Sequence, residues 1–307
     1  MDMLLRGREE DAREPGVLRP VRGSAPNSCR LCGYVLHRPV LPGGRFGYVR
    51  CEHCGLLVVH PFPETADLLS CYDDRAHSPV HPADDPSREL PVHRVRFDEE
   101  LDRIEWFARR GRILDIGCAW GFFLDRCKRR GWEAQGVELS SVEARYARQR
   151  FGVEVFTGPL GDAGFPDRHF DVVTLWHVFE HIPAPLATLV EIRRILKPDG
   201  LTVIAVPTPI SAPDYVFQAV PLHLFYFNET TLARALRQSG FRPIQTRKGG
   251  GTGGAALMKK AGIRDPRSLI ARHVNLLWPL KRILQHVRSA VNLHKEITVY
   301  AVPESGS

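Results

Sequence analysis

Long apolar runs are missing from this chain: none approaches the ~20 residues that a membrane-spanning helix requires. The first twenty residues, MDMLLRGREEDAREPGVLRP, lack an apolar core between their charges, which argues against an export signal and predicts a disordered leader over 1–24. Cysteine is scarce. Of the seven, Cys71, Cys118 and Cys127 stand alone, a usage that fits a reducing compartment and a cytoplasmic location. Acidic residues run short at one end only. From Phe241 to Ser307 twelve Lys and Arg face three Asp and Glu, a local +9 in a chain of net charge +7. The rest is therefore close to neutral, which excludes a uniformly basic protein and leaves either one anion-facing surface or solvated charge. The 307 residues, 43% hydrophobic and 25% charged, are enough for one large domain with an appendage, or for two domains.

The other four cysteines form two tight pairs, CRLC (Cys29, Cys32) and CEHC (Cys51, Cys54), eighteen residues apart. Two CxxC turns at that spacing aim four sulfurs at one point, and tetrahedral zinc is the ion that suits them. Redox or disulfide pairs are the alternative. Four thiolates leave no open coordination position, so the expected zinc is structural, within a ribbon or knuckle module over 25–72. A linker is expected over 73–95, where four prolines and His77, His81 and His93 follow no period.

From Arg112 onward short apolar strands alternate with amphipathic helices. Strands are expected at 112–118, 133–139, 153–158, 170–176, 201–208 and 296–303, and helices at 121–131, 140–152, 183–200 and 228–241. Repeated strand–helix units of this kind argue for a doubly wound α/β sheet.

The loop after the first strand, LDIGCAWGF, has the pattern Asp115-x-Gly117-x-Ala119-x-Gly121. Glycines there permit a tight turn and close approach of a ligand. Glu138 closes the second strand, 23 residues after Asp115, and a carboxylate there can accept hydrogen bonds from both hydroxyls of a ribose. The spacing does not match the G-x-G-x-x-G of dinucleotide folds, and an acid leading into the loop would repel a phosphate. S-adenosylmethionine has no phosphate and carries a sulfonium and an ammonium, which makes it the fitting cofactor.

RILDIGCAWGFFLDRCKRRGWEAQGVELS, FDVVTLWHVFEHI, RRILKPDGLTVIAVPTP and HLFYFNETTLARALRQSGF together resemble class I S-adenosylmethionine-dependent methyltransferases, over about 112–243. That resemblance implies a Rossmann-like, doubly wound, seven-stranded sheet. It further implies Asp115, Gly117, Cys118 and Gly121 around the methionine end of the cofactor, Glu138 on the ribose, Leu139 beside the adenine, and Trp176 and His177 lining the pocket. Ala119 departs from the family's frequent middle glycine. The paired-cysteine module is similar to the zinc-binding N-terminal region of some sugar C-methyltransferases, though little room remains for their long C-terminal domain.

One stretch, LWHVFEHI, also contains His177-x-x-Glu180-His181, the spacing of a zinc-protease helix. A β-branched strand precedes it, and Pro183 and Pro185 follow, so one sustained helix through both histidines is not expected. A metal role for Glu180 and His181 stays open. At the carboxyl edge of the sheet, where such folds bind ligands, His181, His223 and Tyr226 are the candidate acid–base or substrate-orienting groups. The organisation expected is a methyltransferase domain over 96–248, a Gly-rich connection with a basic amphipathic helix over 249–291, and a final strand and tail over 292–307. The basic helix reads as a helix packed on its own domain, a lid, a homodimer face, or a peripheral membrane contact through 267–291. The function expected is methylation of a small molecule or glycan, including sugars, natural products and lipid-linked saccharides, on oxygen. Two alternatives stand beside it: an rRNA or tRNA base methyltransferase, and a non-catalytic cofactor-binding or interaction protein. The RNA reading is the less favoured, because the segment after strand four lacks the Asn/Asp-Pro-Pro-aromatic sequence of amino-directed nucleic-acid enzymes.

Overall fold

The computed structural model describes residues 28–35, 39–41, 46–64, 68, 91–208, 223–249 and 296–304. The expected leader, Cys71, most of the expected linker and the basic helix expected over 267–291 lie outside the described residues.

Three short strands, β1 (Pro39–Leu41), β2 (Gly47–Arg50) and β3 (Leu57–His60), form an antiparallel ribbon around the two cysteine turns. Helix α1 (Pro91–Phe107) precedes the alternating region. That region runs β4 (Arg112–Ile116), α2 (Phe122–Arg129), β5 (Glu133–Glu138), α3 (Ser141–Phe151), β6 (Glu154–Thr157), β7 (Phe170–Trp176), α4 (Pro185–Ile195) and β8 (Leu196–Pro207). It continues with β9 (Phe225–Tyr226), α5 (Glu229–Gln238), β10 (Phe241–Gly249) and β11 (Glu296–Pro303). Seven strands form one sheet in the order β10-β11-β8-β7-β4-β5-β6, with β4 to β8 parallel and β11 antiparallel to both its neighbours. The fold is thus the Rossmann-like α/β sheet that the alternation of strands and helices predicts.

Local chemistry explains most boundaries. In β7, FDVVTLW, five of seven residues are buried, as a central parallel strand covered on both faces requires. Ser140 caps α3 by accepting from the Glu143 N–H, and Gly152 ends it in the left-handed region at φ 59°. Asn228 and Thr231 cap α5 reciprocally, each side chain taking the other's backbone N–H.

Three elements differ from the sequence reading. The helix expected over 183–200 ends at Ile195, because Leu196 turns extended (φ −81°, ψ 141°) and pairs with Phe170. Lys197 precedes Pro198, and a residue before proline avoids helical geometry. Helix α1 begins at Pro91, inside the segment expected as linker, and β10, FRPIQTRKG, was not foreseen as a strand. Its charges give no apolar alternation; its strand identity comes from pairing with β11 along its whole length.

The cysteine ribbon is not a separate bead. β3 pairs with β9, so the small sheet reads β1-β2-β3-β9, and Cys29, Leu31, Tyr48 and Leu57 share one hydrophobic core with Leu114, Phe179 and Phe225.

Candidate active site

A buried Asp115 stands one residue before the end of β4, and the chain then turns through Gly117–Gly121 into α2. Gly117 (φ 71°) and Gly121 (φ 81°) are the positions where the turn requires glycine. A β-carbon would lie 2.3 Å from Val178 Cγ2 at the first and 2.6 Å from Ala147 Cβ at the second. Ala119 also sits at positive φ, 47°, a strained conformation that costs an alanine on the order of 1–2 kcal/mol. Its N–H donates to Glu138 Oε2 at 2.9 Å, while Ser140 N donates to Oε1 at 2.9 Å. Glu138 therefore ties the loop after β4 to the loop after β5, with lone pairs remaining on both oxygens for a ligand. Leu139, 44% exposed, stands beside it at the surface. The Cys118 thiol packs in the core with Leu124 and Ala144, so only its main chain is available to the loop. Trp176 packs its ring edge-on against Phe123, 5.3 Å between centroids.

Burial raises the Asp115 carboxyl to a pKa of about 8; a hydrogen bond donated by Thr174 Oγ1 at 2.6 Å partly opposes this, and the nearby Glu138 adds to it. Burial raises Glu138 as well. Two desolvated carboxyls therefore flank the mouth of one loop.

His177 leaves β7 at positive φ, 57°, its N–H donating to Ala205 O at 2.9 Å. Its Nε2 lies 2.9 Å from Glu296 Oε2 on β11, and Arg96 on α1 donates to Glu296 Oε1 at 2.8 Å. Burial disfavours charge on His177, but the carboxylates of Glu180 and Glu296 outweigh it and carry the pKa to about 9. The protonated ring donates to Glu296, whose own pKa the Arg96 charge and His177 pull down to about 2 against the cost of burial. Arg96 and Glu296 carry no motif in the sequence; the only signal is an acid opening an otherwise apolar strand, EITVYAVP.

The acceptor-side candidates converge. Phe179–His181 form a single 3-10 turn, not a sustained helix, so the zinc-protease geometry is absent. Glu180 is fully buried, and neither carboxylate oxygen has a hydrogen bond; the nearest imidazole nitrogens are His177 Nδ1 at 3.8 Å and His181 Nε2 at 3.9 Å. Burial works to raise its pKa, but His177 and His181 hold it below the usual value. The His181 and His223 rings lie edge to face at 4.8 Å, and His223 Nδ1 is 2.9 Å from the Tyr226 hydroxyl. Burial lowers His223 to a pKa of about 4, leaving it neutral at pH 7. Donor atoms of Glu180, His181 and His223 all lie within 4.8 Å of one another.

The four paired cysteines converge as well, with all four sulfurs within 4.8 Å of one another. Cys29 Sγ lies 3.6 Å from Cys54 Sγ, and Cys32 Sγ 3.5 Å from Cys51 Sγ. These separations are too long for a disulfide, at about 2.05 Å. They approach the edge of about 3.8 Å in a tetrahedron of about 2.3 Å Zn–S bonds.

The acid-led glycine loop of this fold thus faces an acid that closes the second parallel strand. The family model described as "Methyltransferase domain" matches residues 92–246, just over half the chain, and the chain belongs to that family. It is similar to a ubiquinone biosynthesis O-methyltransferase of Azoarcus sp. (30% identical over 125 residues, 38% of this chain and 53% of the relative). It is also similar to the same-named protein of Alkalilimnicola ehrlichii (34% over 97 residues, 29% and 38%). The chain thus spans about half or less of the length of these two relatives. Among solved structures, a phosphoethanolamine N-methyltransferase 2 of Haemonchus contortus with bound S-adenosyl-L-methionine shares the fold. There the TM-score is 0.52 at 20% identity, covering 69% of this chain and 53% of that one. No helix among the described residues is long and apolar enough to cross a membrane.

Proposed function

We propose that this methyltransferase acts on an oxygen of a small molecule or glycan. The observation that carries this is the cluster of His181, His223 and Tyr226 around the buried Glu180, at the strand-end edge where ligands of such sheets bind. The names of the curated relatives, O-methyltransferases, support transfer to oxygen. Bound S-adenosylmethionine supplies a methyl group already activated on a sulfonium. The chain's own part is to align the acceptor and manage its proton. His223, neutral at pH 7, has the protonation state a base requires, and Tyr226 fixes its ring through Nδ1. A screen for labelled-methyl transfer across sugars, phenolic metabolites, glycolipids and RNA tests the reading: hydroxyl compounds are expected to accept label. Labelling of RNA alone, with salt-sensitive retention, would favour the RNA alternative that the +9 C-terminal region suits. The dimer and membrane readings of 267–291 rest on sequence alone.

The cofactor-side roles make a pH prediction. With a free-protein pKa of about 8, Asp115 is protonated at pH 7 and must ionise to face a cationic ligand. Its raised pKa favours folding below the unfolded value of about 3.9, and that contribution is lost as pH rises to about 8, where ligand affinity gains. S-adenosylmethionine should therefore bind more tightly at pH 8.5 than at 6.5, by about 25-fold where only the ionised form binds, with proton release at pH 7. Calorimetry in buffers of different ionisation enthalpy measures that release; a pH-independent Kd without it would remove Asp115 from the role.

A second reading of the acceptor cluster follows from the unbonded Glu180 oxygens. One carboxylate and two imidazoles form a donor set for a divalent ion. Titration with Mn(II) followed by electron paramagnetic resonance separates the readings. Binding lost in Glu180→Gln supports the ion; absence of binding supports proton transfer alone.

We also infer one structural zinc on Cys29, Cys32, Cys51 and Cys54, supported by the approach of the four sulfurs.

A further inference from the structure

We propose that Tyr48, on the cysteine ribbon, is a positioning residue that sets the geometry of His223, so that the ribbon is a working wall of the acceptor site. This rests on the reading of His223 as an acceptor-side group.

Tyr48 is fully buried, and its hydroxyl donates to the His223 carbonyl at 2.7 Å across 175 positions of sequence. Burial pushes its pKa well above the ordinary tyrosine value, so the hydroxyl remains a donor at every accessible pH. Its ring meets Tyr226 edge-on at 5.3 Å, and Tyr226 in turn holds His223 Nδ1 at 2.9 Å. Tyr48 thus touches the histidine twice: directly at the backbone, and through Tyr226 at the ring. The same segment is pinned at two more points. Val59 N donates to Leu224 O at 2.9 Å, and Leu224 N donates to Glu180 O at 2.9 Å. Residues 225 and 226 pair with Val58 and Leu57. Of these restraints, the Tyr48, Val59 and strand-pairing bonds come from the cysteine ribbon, and Tyr48 stands three residues before Cys51. The ribbon therefore reaches the chemistry through one hydroxyl and one strand edge.

The charged and titratable groups facing His223 are Glu180, His181 and His177 from the β7 exit, with Tyr226 on its own segment and Tyr48 from the ribbon. Tyr48→Phe keeps the ring and its edge contact with Tyr226 and removes the hydroxyl, with its bond to the His223 carbonyl and its interaction with Tyr226. With the carbonyl released, the His223 segment should loosen and its ring should lose the orientation that Tyr226 gives it.

The test needs no acceptor. Nitrogen-15 spectra of the full chain at one fixed pH, with His223 assigned by loss of its signals in His223→Gln, give its tautomer and the order of its ring. In the wild type a single tautomer fixed by the Tyr226 contact at Nδ1 is expected; in Tyr48→Phe it should give way to a mixture of tautomers on a mobile ring. S-adenosylmethionine affinity, the folding control, should stay within about twofold. An unchanged tautomer and an ordered ring in a Tyr48→Phe protein that binds the cofactor would overturn the proposal. If Tyr48→Phe does not fold, the wild type decides: a Tyr48 hydroxyl proton protected from solvent exchange is expected, and a freely exchanging one overturns the contact. Once an acceptor is known, a fall in kcat with unchanged cofactor affinity should accompany the change. Should His223→Gln leave turnover intact while Tyr48→Phe alters the His223 ring, the acceptor-side role of His223 fails and the positioning contact stands.

Discussion

Glu138→Ala is expected to weaken S-adenosylmethionine binding by about a hundredfold or more. Each oxygen of Glu138 accepts a backbone N–H, from Ala119 and from Ser140, so the side chain holds the loops after β4 and β5 together before any ligand arrives. Hydrogen bonds to a charged group are worth about 1.5–3 kcal/mol each, so losing the two that Glu138 is proposed to accept from the ribose hydroxyls would cost about 3 kcal/mol or more, or over two decades in Kd. Ala119 sharpens the effect. It is held in the left-handed region at φ 47°, and its N–H bond to Glu138 is what opposes relaxation of that strain. Glu138→Gln keeps one acceptor oxygen and should fall between wild type and alanine. Calorimetry on the folded variants checks this, and a Glu138→Ala Kd within threefold of wild type would mean the acid serves neither the loop nor the ribose.

Cys29→Ser should yield protein without bound zinc, and elemental analysis of the wild type is expected to give one ion per chain. The expected cost is large because a zinc on four thiolates would supply much of the ribbon's stability. Structural zinc in small modules is worth roughly 10–16 kcal/mol of apparent binding free energy, all of it conditional on the folded site. β1 to β3 contribute only eleven strand residues, too few to hold a ribbon alone. The loss will not stay local. Tyr48 and Leu57 share a core with Phe179 and Phe225, so the melting temperature should fall by about 10 °C or more. Zinc retained at one ion per chain in Cys29→Ser would place the ion elsewhere, and wild-type protein free of metal would leave the cysteines as a cluster of thiols.

Much of the architecture was legible in the sequence because its causes are local. Alternating apolar strands and capped helices are written in residue order, and Asp115, Gly117, Gly121 and Glu138 lie within one βαβ unit, where spacing alone brings them together. The four cysteines were legible for the same reason: CxxC turns carry their own geometry. Less legible were elements whose identity depends on partners. β10 is a strand because β11 lies beside it, and Leu196 starts β8 because Phe170 is there to pair with it.

The sequence by itself determined the fold class, the acid-led glycine loop and the paired thiols, all features set by neighbours within a few tens of residues. Only the tertiary structure decided what surrounds the histidines. Arg96, His177 and Glu296 meet from α1, β7 and β11, and Tyr48 reaches His223 from a ribbon 175 positions away. Such contacts carry no local period or spacing. They exist because sheet order and strand pairing fold distant residues into one low-dielectric site, where burial makes each charge depend on its partners.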